Sequence, residues 1–529
     1  MSADVLAAAS SIPFSTGTGG FGFPILPAIV VLPAIAAAAV ALLVPRSRPD
    51  VARIVGAVAS VAVAGLAIAM AVRFRTGTAG YQFGVEHSWI SAFGIQWKLG
   101  VDGISVFLVT VTAVVFPVAI LGAPVQRDPK SYVGWMLLLE AACLGSFVAL
   151  DVFLFFLFFE LTLPPMYMLI GRWGGPRRSY AALKFFLYTF AGSALMLISL
   201  LVLAYLHARS YGGHLTFDVL VLTTQQHLST DTGIVLFLGF AAAFAVKVPI
   251  FPFHTWLPDA QAEASTGGSI VLAAVMFNLG TYGLVRFCIE MFPRASVDLA
   301  PLMLTLGAVG IVYGFLVAVV QTDLKRMIAY TLVGDLGVIV VGLFAFTRQG
   351  LAGGVYQMVN HGVSMSAMFL LIGVVVDRFG SGDLRRMGGL QSSAPLMAAL
   401  FMVVTLSVVG VPGLNGFIGE FLLLIGTFVT HRWWAVAATV GVILAAVVFL
   451  WAYQQIFHGQ PKDETRPAMA DIGRRELLAV APLIILIVVL GVYPRPFLDR
   501  INPSANRVIA HVTQLTHQVE PAVATGARP

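Results

Sequence analysis

Seven polar side chains interrupt runs that are otherwise apolar. They are Glu140 in LLLEAACLG, Glu160 in LFFLFFELTLPPMY, Lys247 in AFAVKVPIFPF, Asn278 in MFNLGTYG, Asp335 in YTLVGDLGVIV, His361 in MVNHGVSMS and Glu420 in GFIGEFLLLIG. A lone charge at mid-bilayer costs about 2.5–3.5 kcal/mol on insertion scales, and for any one of them a structural ion pair or a packing contact is the lesser reading beside a functional one. Several at similar depth on different helices imply a shared hydrated network, and carboxyl, amine and imidazole groups in such a network move protons or cations. Glu160 follows FFLFF, where nothing local solvates a carboxylate, and Lys247 stands beside Pro249 and Pro252; these two are the leading proton carriers. Opposite charges at matched depth offset each other's burial, which predicts that they lie within direct or one-water reach. Glu420 lies one turn beyond a second proline–glycine interruption. His361 reads also as a core histidine with one hydrogen bond, and Glu140, across a turn at Asp151, stands evenly between relay and packing. Lys184 reads as a snorkelling side chain near a span end. Lys325 and Arg326 read as an anchor.

The elements that must hold these residues are membrane helices. The chain has 529 residues, 59% hydrophobic and 11% charged; soluble domains carry about 25% charged residues. Apolar runs of spanning length recur at 24–44, 52–72, 104–122, 132–150, 152–170, 180–206, 233–257, 267–291, 300–320, 326–346, 350–376, 393–430, 433–457 and 476–496. These are fourteen expected spans, numbered 1–14 below. Pro249 and Pro252 cannot continue span 7 in register, so it should break beside Lys247. Span 12 is too long for one straight crossing and carries VPGLNG in its middle, a second expected break near Pro412–Gly416. Paired breaks predict two inverted five-helix repeats, 131–292 (spans 4–8) and 293–457 (spans 9–13), after three helices in 1–130 and before span 14 and an exposed tail in 458–529. Lys and Arg concentrate in loops after odd-numbered spans, which puts those loops in the cytoplasm and both termini outside.

Other classes of function are poorly supported. The net charge of +6 is modest and lies mostly in loops, giving no basis for a nucleic-acid partner. Two cysteines, both within spans, leave no disulfide framework, and there is no Walker loop, no GxGxxG after a strand and no CxxCH. The histidines form no convincing metal set. Driving energy must come from a gradient or from partner subunits, and the chain is expected to hold no cofactor and no metal.

The stretches LDVFLFFLFFELTLPPMYMLIGRWGG, KFFLYTFAGSALML, AFAVKVPIFPFHTWLPDAQAEASTGGS, DLKRMIAYTLVGDLG, VNHGVSMSAMFLLIG and GVPGLNGFIGEF resemble the antiporter-like, proton-translocating membrane subunits of respiratory complex I. The resemblance implies a proton-pumping subunit of an NADH:quinone oxidoreductase in a bacterial cytoplasmic membrane. FMN, iron–sulfur clusters and quinone would belong to partner subunits, and the paralogous L and N antiporter-like subunits would be neighbours. It also implies that Glu160, Lys247 and Glu420 lie on a hydrated axis between half-channels. In this family the L and N types usually carry lysine where Glu420 stands, and the M type carries glutamate. Two positions depart from the pattern: Asn278 replaces a lysine, and Asp335 a histidine. The ionised sum over Glu160, Lys247, Asp335 and Glu420 is then two negative charges, which predicts that Asp335 or Glu420 holds a proton in some working state. Alternatives are a subunit of a multisubunit sodium/proton antiporter, a subunit of a hydrogenase-linked pump, and a scaffold whose buried charges fix helix packing.

Overall fold

The structure is a computed structural model that describes residues 12–123, 125, 127–225, 228–462 and 469–516. Among these, thirteen helices are long and apolar enough to cross a bilayer. Spans 1–4 are Ile25–Leu43, Pro49–Arg73, Ser105–Gly122 and Pro129–Val148; spans 5–8 are Val152–Trp173, Arg178–Ser210, Thr230–Lys247 and Thr266–Ile289. Spans 9–11 are Ala300–Val319, Leu324–Leu343 and Arg348–Phe379, and spans 13 and 14 are Arg432–Phe457 and Arg474–Val492. The expected span 12 is a pair of shorter apolar helices, Pro395–Val408 and Asn415–Thr430, which brings the crossings to fourteen.

Both breaks are present. Span 7 stops at Lys247, the chain turns through 248–256, and a short helix, Leu257–Glu263, follows before span 8. Proline at 249 supplies no backbone donor, so the ladder is completed by other groups: Ile250 N–H reaches back to the Ala245 carbonyl at 2.9 Å and the Trp256 indole donates to the Val246 carbonyl at 2.9 Å. In span 12 the interruption is at 409–414, slightly earlier than Pro412–Gly416, because Gly410 (φ 76°) takes a left-handed conformation one turn before Asn415 restarts the helix. Spans 8 and 11 form the centre: the best apolar stretch of each is almost wholly buried, whereas spans 1, 2, 13 and 14 show half or more of their surface outward.

Two elements depart from the sequence reading. Tyr81–Ile90 and Ile95–Val101 pair as an antiparallel hairpin between spans 2 and 3, turning at Gly94 (φ 70°), so the chain is not purely helical. Nor are the residues after span 14 simply an exposed tail. Arg495–Thr516 is a helix whose Ile501, Ala505, Val508, Ile509 and Val512 are buried. It has polar residues on its other face, and that amphipathic pattern explains both its docking and why it did not register as a span. Residues 517–529 lie outside the described residues.

Candidate functional site

The first break builds one half of the site. Lys247, the last residue of span 7, is 1% exposed, stands 4.5 Å from the Phe159 ring centroid and donates through Nζ to Thr162 Oγ1 at 3.0 Å. Thr162 passes its own hydroxyl hydrogen to the Phe159 carbonyl at 2.7 Å. Close approach of span 8 depends on Gly280 and Gly283, where a Cβ would collide with Val248 and with the Phe244 ring. Glu160, on span 5 two residues before Thr162, is half-buried, and its Oε1 has no protein partner. It is within electrostatic reach of Lys247, but the two form no direct ion pair; the threonine occupies the ammonium instead. Of the two expected arrangements, direct or one-water reach, the direct ion pair is not formed. Glu140, fully buried on span 4, accepts from Ser60 of span 2 at 2.5 Å through Oε2, leaving Oε1 unpartnered. Cys143, one turn along, lies within electrostatic reach of both Glu140 and Lys247.

Asn278 and His361 join the two halves. Asn278 Nδ2 donates to the Ala274 carbonyl at 2.8 Å and to Met358 of span 11 at 2.9 Å. The amide packs on Gly362, beside His361, where a Cβ would crowd it. Asn278 Oδ1 and His361 Nε2 are both buried without a protein partner.

The second break carries the other half. Glu420 accepts from Gln357 Nε2 of span 11 at 3.3 Å and lies against Gly410, where any Cβ would strike its carboxylate. Asp335 of span 10 is half-buried, with Oδ2 unpartnered, and lies within electrostatic reach of Glu420. Behind them runs a neutral network. Asn360 donates to Gln357 Oε1 at 3.1 Å and to the Asn415 carbonyl at 2.7 Å; Asn415 Nδ2 donates to Ser364 at 3.0 Å; and Ser407 donates to Asn415 Oδ1 at 2.5 Å. Sequence reasoning missed these residues, although Gln357, Asn360 and Ser364 recur at i, i+3 and i+7 on the His361 helix, one face of it.

Five of the seven singled-out residues thus keep a buried polar atom with no protein partner: Glu140, Glu160, Asn278, Asp335 and His361. Buried polar atoms in folded proteins are almost always satisfied, commonly by ordered water, so each of these atoms is a place where water would complete the hydrogen bonding. Among the described residues no group of three or more His, Cys, Asp or Glu side chains converges as a metal site.

A second charged cluster was also missed. At the hairpin end, Arg286 (0% exposed) bridges Asp102 and Glu290 at 2.7 Å each, and Arg507 of the C-terminal helix reaches Glu290 at 2.7 Å and Asp102 at 3.4 Å. Arg286 and Glu290 sit at the end of span 8, away from the middle of the run where a charge is conspicuous. Lys184 is not merely snorkelling: it pairs with Asp259 at 2.8 Å, which also pairs with Arg326 at 2.8 Å.

Known proteins resemble this arrangement along most of its length. The family described as "NADH:quinone oxidoreductase/Mrp antiporter, TM" matches residues 149–445. The NADH-quinone oxidoreductase subunit M of Rhodobacter capsulatus is 41% identical, covering 93% of this chain and 97% of its own. That of Mycobacterium tuberculosis (strain ATCC 25618 / H37Rv) is 39% identical, covering 93% and 94%. A chain of respiratory complex I from Thermus thermophilus superposes with a TM-score of 0.83 at 30% identity, covering 92% and 99%. A chain of the Mrp complex from Dietzia sp. DQ12-45-1b shares the fold, with a TM-score of 0.79 at 21% identity over 92% and 99%. With two broken helices around a buried line of ionisable side chains and relatives matching it nearly end to end, this chain belongs to the NADH:quinone oxidoreductase/Mrp antiporter family of transmembrane proteins.

Proposed function

We propose that this chain is a proton-translocating membrane-arm subunit of an NADH:quinone oxidoreductase. The observation that carries the reading is the line Glu140, Glu160–Lys247, Asn278–His361, Asp335–Glu420, which crosses both broken helices and exposes orphaned polar atoms along its course. Glu160 and Lys247 exchange a proton through Thr162 or water. Asn278 carries no proton, but its amide orders the crossing from span 8 to span 11, where His361 receives it. Asp335 and Glu420 share a proton at the second break, which relieves the excess negative charge of the axis. Residues 131–292 and 293–457 act as the two inverted repeats, each built on one broken helix. The chain itself carries no redox group; FMN, iron–sulfur clusters and quinone belong to partner subunits, with L- and N-type subunits on either side. The chain sits in a bacterial cytoplasmic membrane with both termini outside.

Membership in a cation-antiport complex is the second reading, since the fold is shared. Glu420 favours the first, because the antiport relatives are expected to carry lysine there. Purification of the chain from its membrane through an affinity tag separates the two. Co-purified flavin and iron–sulfur proteins that oxidise NADH support the proposal; a complex lacking them, with sodium/proton exchange activity, contradicts it.

A further inference from the structure

A crevice of about 730 Å³ opens between spans 2, 3 and 14 and the C-terminal helix, with Val359 and Val363 of span 11 at its floor. Span 3 lines it from Phe107 to Leu121, about 21 Å at 1.5 Å per residue. One leaflet of a hydrocarbon core about 30 Å thick is about 15 Å deep, so the slot accommodates a full acyl chain. Pro117 and Pro482 lie inside the two helices that flank it, and a mid-helix proline bends its helix away from close packing. The walls are apolar: apart from Arg500, the lining has one polar side chain, Thr110, whose hydroxyl is spent on the Val106 carbonyl at 2.7 Å.

The end of the crevice at the C-terminal helix is different. Phe107 and Phe497 close it, ring centroids 4.9 Å apart, and Arg500 stands beside them. Arg500 donates through Nη1 to the Pro496 carbonyl at 2.7 Å, but its Nε is buried without a protein partner, and no carboxylate pairs with it among the described residues. Its position is fixed. Arg507, two turns along the same helix, is held by Asp102 and Glu290, and Gly103 N–H donates to Ser504 at 3.0 Å.

An unpaired guanidinium above an apolar slot of acyl-chain length is complementary to an amphiphile with an anionic phosphate head. We propose that this crevice is a binding site for an anionic glycerophospholipid, with an acyl chain between spans 2, 3 and 14 and its phosphate on Arg500. The site is independent of the proton path.

The test uses the assembled complex in nanodiscs containing phosphatidylglycerol with a diazirine in one acyl chain, or the matching phosphatidylcholine. Cross-links are mapped by peptide mass spectrometry. The expected result is at least fivefold more label on 107–121 and 478–490 than on the outward face of span 6 with phosphatidylglycerol, and no such enrichment with phosphatidylcholine. Arg500→Gln should bring the phosphatidylglycerol label down to the phosphatidylcholine level while NADH oxidation by the complex persists. Ala71→Trp, which fills the slot, should remove the label with either lipid. Equal labelling of spans 3, 14 and 6, or enrichment unchanged by Arg500→Gln, overturns the proposal. So does absence of label because a neighbouring subunit covers the crevice, or loss of label to added isoprenoid quinone.

Discussion

Asp335 lies within electrostatic reach of Glu420 at the second break, and Gln357 donates to the Glu420 carboxylate. In the proposed function the two carboxyls share a proton, which would make Asp335 a working member of the path. Asp335→Asn should lower proton pumping several-fold in an intact complex, measured by fluorescence quenching in proteoliposomes; undiminished pumping removes Asp335 from the relay. Lys247→Met should act more strongly, by about tenfold or more, because it leaves the Thr162 hydroxyl and Glu160 without their cation. The charged members of the site were legible from sequence because a charge in an apolar run is costly and therefore conspicuous. Asn360, Ser364, Ser407 and Asn415 were not, since neutral polar side chains are inexpensive and common in membrane helices. Thr162, which takes the Lys247 ammonium, was missed for the same reason.

At the scale of elements, each break has its own device: the Trp256 indole at the first and a left-handed Gly410 at the second. Alanine at 410 must adopt the left-handed conformation at about 1–2 kcal/mol, and its Cβ would strike the Glu420 carboxylate. Gly410→Ala should therefore impair pumping at least as much as Gln357→Leu, with the complex still assembled. The C-terminal helix is clamped by the Asp102–Arg286–Glu290–Arg507 cluster. Arg507→Met leaves buried carboxylates undercompensated, a loss of about 3–5 kcal/mol, and should raise hydrogen exchange across 495–516. Burial pushes the Asp102 carboxyl up, but the Arg286 and Arg507 guanidiniums outweigh it and hold it below the usual carboxylate range. A folded value below the unfolded one of about 3.9 gives stability that is complete above that pH and lost as the pH falls through the folded value. Exchange in the helix should therefore be unchanged by this group from about pH 5 upward and should increase only in stronger acid. Proline placement made both breaks readable in the sequence. The hairpin was overlooked although YQFGVEHSW and IQWKLGV are short runs around Gly94, because attention to runs of twenty apolar residues passes over strands of ten. The C-terminal helix was overlooked because its apolar residues occupy only one face.

In the whole molecule, the residues of the proposed path are carried by central and broken helices. Spans 8 and 11 sit at the centre and carry Asn278 and His361, while the broken spans 7 and 12 bring Lys247 and Glu420 to them from opposite sides of the sequence. The fourteen crossings and their order were readable because bilayer thickness dictates helix length, whereas the closure of the polar line through Gln357 and Asn415 depends on packing that no single run reveals. In the proposed function protons move through this line while electrons move elsewhere. Glu160→Gln is the sharpest test, because the substitution keeps the shape of the side chain and removes its ionisable carboxyl, and with it both the negative charge and the ability to carry a proton. The measurement is the ratio of protons translocated to NADH oxidised by the purified complex in proteoliposomes, with subunit composition verified. The expected result is an assembled complex whose coupled proton translocation falls by about tenfold or more; an unchanged ratio at an unchanged rate would overturn the proposed function.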